Sequence, residues 1–193
     1  LVFHVHLITT PLMGQPSPPS PFSLEFELTD GGSVTNTALI SNFDFGGGLA
    51  AGVPNFNPAT AGSGSLSSSV TLHDSTGFLA NTFTQEFSPG NTLDFDVQLT
   101  TNVDAPAPDV FSFAILDRDG NRLPTLDTFG TDFFFTVELN APNPGVSDVQ
   151  TFASHPSSPI QLSAPSVQAI PEPTTVTLLV IGLAGIIIAL RRK

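Results

Sequence analysis

Cysteine, tryptophan and tyrosine are all missing from this chain of 193 residues, and positive charge is scarce. Without cysteine there is no disulfide framework, no thiolate metal ligand and no cysteine nucleophile, and the redox compartment leaves no mark on the sequence. Without tryptophan or tyrosine, the aromatic content is seventeen phenylalanines. These are rings without a polar handle, suited to packing more than to the platforms on which sugars rest. Lys and Arg number 5 against 17 Asp and Glu, a net charge of −12. Before residue 171 the only Lys or Arg side chains are Arg118 and Arg122. An acidic surface repels nucleic acid and anionic lipid, so neither is expected as a partner, whereas divalent cations are attracted. Glycine-rich nucleotide loops and zinc motifs are absent as well.

What is present is alternation. Val2 to Leu7, Phe22 to Thr29, Val34 to Ser41, Leu66 to Leu72 and Leu93 to Thr100 follow a two-residue period, with Phe83 to Phe87 as a short addition. Val110 to Leu116 is apolar on both faces, as a central strand is, and Phe133 to Leu139 completes the set. Asp30-Gly31-Gly32, Asp74-Ser75-Thr76-Gly77, Pro89-Gly90-Asn91 and Asp119-Gly120-Asn121 punctuate these runs as turns. The expected fold is all-β, an antiparallel β-sandwich of jelly-roll-like type spanning residues 1–140. Gly46-Gly47-Gly48 and Gly52 to Ser69 are expected to form a surface loop. Residues 141–169 hold five prolines and six serines, which predicts an extended stalk reaching up to about 90 Å.

The tail is a different material. Val176 to Leu190 contains ten Leu, Ile or Val among fifteen residues, and Arg191-Arg192-Lys193 follows. Bilayer insertion of such a run is favoured by about 3 to 6 kcal/mol. At about 22 Å it is short for a hydrocarbon core of about 30 Å, a deficit that Thr174, Thr175 and snorkelling basic side chains make up. A transmembrane helix is expected over residues 174–190, with its basic end in the cytoplasm and everything before Pro171 outside. Pro171-Glu172-Pro173, the apolar run and the basic cluster together resemble the PEP-CTERM sorting signal of Gram-negative bacteria. That resemblance implies an exosortase, a membrane-embedded cysteine transpeptidase-like enzyme, as partner. It further implies Pro171, Glu172 and Pro173 as the sorting motif and Arg191, Arg192 and Lys193 as the basic stop. The chain would then be a substrate and not a catalyst, held in the inner membrane as a precursor and later at the cell surface or outside the cell. Leu1 to Met13 lacks a basic start and carries His4 and His6, so it does not read as a signal peptide. The expectation is a mature or truncated form.

A second resemblance lies in Pro21 to Leu24, Asn42-Phe43-Asp44-Phe45-Gly46-Gly47-Gly48, Phe83 to Phe87, Leu99 to Asn102 and Phe111 to Asp117. These are similar to a group of PEP-CTERM proteins with a single β-rich domain. The resemblance implies a producer of exopolysaccharide or biofilm, and no assigned activity. The Pro16 to Pro21 stretch departs from that pattern.

Candidate chemistry is sparse. Asp94 and Asp96 share a strand face about 7 Å apart, a separation that suits inverting glycoside hydrolysis and equally a solvated strand face. Asp117, Asp119 and Asn121, with Gly120, have the spacing that begins a calcium loop, although Leu123-Pro124 interrupts it and Asp-Gly also marks a hairpin turn. His4 and His6 share a face but lack a visible third metal ligand. His73-Asp74-Ser75 has the residue types of a triad, but neighbours in an extended chain point to opposite faces. The expected function is an exported, non-enzymatic surface or matrix protein without a cofactor. The alternative is a calcium-assisted, lectin-like module that holds exopolysaccharide or matrix glycans.

Overall fold

The computed structural model describes residues 1–15, 21–32, 35–74, 77–102, 108–139 and 148–170. In chain order the strands are β1 (Val2–Ile8), β2 (Phe22–Thr29), β3 (Thr37–Asp44), β4 (Leu49–Ala50), β5 (Asn55–Asn57), β6 (Gly62–Gly64) and β7 (Val70–His73). They continue as β8 (Ala80–Ser88), β9 (Thr92–Leu99), β10 (Val110–Leu116), β11 (Phe135–Glu138), β12 (Asp148–Thr151) and β13 (Ser166–Ala169). One sheet has the order β13-β1-β9-β3-β7-β6. The other has the order β12-β11-β10-β2-β8-β4, with β5 also on β8. Every pairing is antiparallel.

The two-residue period decides which side chains meet. Phe22, Leu24, Phe26 and Leu28 of β2 are all wholly buried, as are Leu93, Phe95 and Val97 of β9. Phe3, Val5 and Leu7 of β1 join them, and the inner faces of both sheets form one apolar cluster. Phe26 sits at its centre, with the rings of Phe43, Phe83, Phe95, Phe111 and Phe113 at 5.3 to 6.1 Å. Burying one such ring contributes about 2 to 3 kcal/mol, which suits a fold that has no disulfide to lean on.

Two expectations are corrected. The glycine-rich stretch is not a plain loop, because it contains β4, β5 and β6. Its glycines let backbones touch: a Cβ on Gly48 would lie 2.0 Å from the Ser88 carbonyl oxygen, and one on Gly62 1.9 Å from that of Thr71. The Asn42 to Gly48 run is a corner. A register shift between Ser41 and Asp44 breaks the β3–β9 ladder, and the chain then leaves the first sheet at β3 to enter the second at β4.

The second correction concerns the stalk. Residues 148–169 are not one: β12 extends the second sheet on β11, and β13 extends the first on β1. Between them Ile160 and Leu162 are buried in the core at 3% exposure each. Proline and serine content suggested an extended chain, but a few well-placed apolar side chains and two free sheet edges are enough to dock it. Among the described residues no helix is long and apolar enough to cross a membrane. The expected helix at 174–190, the motif Pro171 to Pro173 and the basic stop lie outside the described residues.

Candidate functional site

The outer face of the second sheet carries a groove. Register places Glu27, Ser112, Thr136 and Gln150 in one row across β2, β10, β11 and β12. Thr29, Val110 and Glu138 form the next row. The loop between β10 and β11 folds back over one end of this face, which is why Ser112 and Ala114 of β10 are buried on their outward side too. That loop supplies Phe129, Thr131 and Phe133 as a wall, and the enclosed volume is about 300 Å³. This is at the low end for small-molecule sites.

Arg122 straps the loop to the sheet. Its Nε donates to Glu25 Oε2 at 2.6 Å, and its second terminal nitrogen donates to Glu25 Oε1 at 3.1 Å and Glu27 Oε2 at 2.8 Å. The remaining nitrogen donates to the Thr131 carbonyl at 3.0 Å, and the guanidinium lies 4.1 Å from the centre of the Phe133 ring. Burial pulls its pKa down, but the bonds and charges of Glu25 and Glu27 outweigh this and hold it above its ordinary value. Asp127 fixes the tip: Oδ1 accepts from the Phe129 N–H at 2.9 Å, and Oδ2 accepts from both the N–H and the hydroxyl of Thr131. Phe129 is therefore presented on a hydrogen-bonded loop while remaining 76% exposed. On the floor lies Ser112, 2% exposed.

A second polar cluster lies elsewhere. Asp30, Asp74 and Asp109 bring carboxylate oxygens within 4.8 Å of one another, close enough to hold a cation. They are already occupied by donors. Both oxygens of Asp74 accept from the Asn36 N–H, Asp109 accepts from the Gly31 N–H and the Asn36 amide, and Asp30 accepts from the Gly32 N–H. Burial, followed by the nearby Asp109 and Asp30 charges, pushes the Asp74 carboxyl up to about 6.

The residues singled out from sequence are distributed as follows. His4 faces Asp96 and His6 faces Asp94 across β1 and β9, at 2.8 and 2.6 Å. The strand pairing thus joins two features that the sequence offered separately, and Asn42 adds a bond to Asp96 at 2.7 Å. Burial disfavours ionisation of Asp96, but the bonds from Asn42 and His4 and the His4 charge prevail and hold its carboxyl below the usual value. Asp117 Oδ1 accepts from the N–H groups of Asp119 and Asn121, and Gly120, at φ 80°, closes the turn. His73 and Asp74 end β7, with Asp74 turned to Asn36, and Ser75 lies outside the described residues. Sequence reasoning missed the groove. Its one available signal was Phe129, a large ring placed in an Asp-Thr-Phe-Gly turn where nothing needs packing.

No curated protein and no solved structure matches the chain. The family model that does match covers residues 169–193 and describes the PEP-CTERM protein-sorting motif, the mark of exported proteins whose sorting depends on an exosortase.

Proposed function

We propose that this chain is an exported, non-enzymatic surface or extracellular-matrix protein, delivered and cleaved by an exosortase. On this reading its all-β, antiparallel domain is a jelly-roll-like sandwich, of the single β-domain type with an N-F-x-F-G-G-G run. The observation that carries this reading is the position of the sorting match: it begins at residue 169, the last residue of β13, with the apolar run and basic cluster beyond. At the acid pair, Asp94 and Asp96 are each hydrogen-bonded to a histidine across β1 and β9. The basic end would face the cytoplasm and the sandwich would lie outside.

The test is the intact mass of the protein in inner-membrane, cell-surface and medium fractions of its host. A surface or medium species lacking the mass of Val176 to Lys193 is expected. Full-length protein confined to the inner membrane would make the tail a plain anchor and end the exosortase reading.

A further inference from the structure

We infer that the groove on the outer face of the second sheet binds a neutral saccharide, without calcium. The argument starts from two groups, Phe129 and Glu138, with no internal reason to be as they are. Phe129 is 76% exposed on a loop that Asp127 and Arg122 hold in place, so its exposure is built in and not a consequence of slack. Ser112, 2% exposed, lines the same groove. Glu138 lines the same floor without an ion-pair partner among the described residues, whereas Glu27 is neutralised by Arg122.

The chemistry of the occupant follows from this inventory. Ser112, Thr131 and Thr136 offer hydroxyls that both donate and accept, Glu138 accepts only, and Gln150 does both. Such a floor matches a ligand dense in hydroxyl groups. The wall matches its opposite: an apolar ring face laid on Phe129, which needs no polar handle for that contact. A pyranose has both surfaces. The four-strand row is about 14 Å across at about 4.8 Å per strand, room for about two sugar rings end to end. Charge complementarity excludes an acidic glycan, because Glu138 and the −12 net charge would repel it. The Asp117 turn takes no part. The inference is also independent of how the tail is processed, since every residue it uses lies before residue 151.

With no tryptophan or tyrosine to report by fluorescence, calorimetry is the suitable readout. The full chain, in a sugar-free detergent, is titrated with cello-, malto-, xylo- and mannotetraose, with a glucosamine tetramer and with tetragalacturonate. At least one neutral tetramer is expected to bind with a Kd of about 0.1 to 1 mM, with or without EDTA. Phe129→Ala and Glu138→Gln, both surface changes, are each expected to weaken it at least tenfold at an unchanged thermal midpoint. Failure of all four neutral tetramers to bind overturns the inference. So does unaltered affinity in both variants, loss of binding in EDTA, or preferential binding of the amine-bearing or acidic tetramer.

Discussion

Asn36 is wholly buried, and each of its polar side-chain atoms has a partner: its amide nitrogen donates to Asp109 and the Asn102 carbonyl, and its oxygen accepts from Thr100 and the Asn102 N–H. The strain of this arrangement falls on Asp74, whose carboxyl is raised by burial and by facing Asp109 to about 6, against an ordinary 3.8. The folded chain therefore holds that proton more tightly than the unfolded chain does. The resulting stabilisation is complete below about pH 3.8 and is lost as pH rises through about 6. Asp96 has the opposite sign: its carboxyl is lowered, so its contribution is present above 3.8 and lost as pH falls further. Asp74→Asn should raise the thermal midpoint at pH 7 by several degrees and leave it unchanged at pH 4. Melting curves of the two proteins that stay parallel from pH 4 to 7 would rule this out. None of this was visible in the sequence. There Asp74 stood beside His73 and Ser75, and its true partners are 38 and 35 positions away at Asn36 and Asp109.

The strands divide sharply by how well their pattern announced them. β2 and β10 fall where the alternation and the continuous apolar run placed them, because eight and seven residues are enough for a periodic signal. β4, β5, β6, β12 and β13 have two to four residues each and were hidden by glycine, serine and proline. Their pairing comes from what the long strands leave open at their edges, which no local pattern encodes. Ile160 and Leu162 test this. Ile160→Ala and Leu162→Ala should each cost about 2 to 4 kcal/mol in urea unfolding, whereas in a stalk both would be neutral. The β10–β11 loop gives a second test. Arg122→Ala removes a partly buried partner from Glu25 and Glu27 and should destabilise by about 2 kcal/mol, since some water reaches the pair. Amide exchange should accelerate at residues 127–131 more than at β9. Equal acceleration in both places would mean that Arg122 merely supports the fold and does not hold the groove wall.

Taken as one body, the protein keeps the proposed binding groove and the sorting match apart: the groove is on one sheet, and the match begins at the edge of the other. The join between them is short. β13 is paired with β1 from Phe3 to His6, and the Ile170 N–H still donates to the Val2 carbonyl at 2.8 Å, one residue before Pro171. If an exosortase acts at Pro171 to Pro173, ten Gly and Ser residues inserted after Ile170, adding about 17 Å of reach, should speed appearance of the cleaved form in a pulse-chase while leaving the thermal midpoint alone. An unchanged rate would show that the enzyme already has room beside the folded sheet. If an exosortase acts there, the β1–β13 ladder would work as a winch. Zipping its four residues would draw in about 13 Å of slack and bring the sandwich up against Pro171 to Pro173, and fraying would let it out again. On the exosortase reading, the order of cleavage and folding would be set by when β13 pairs with β1.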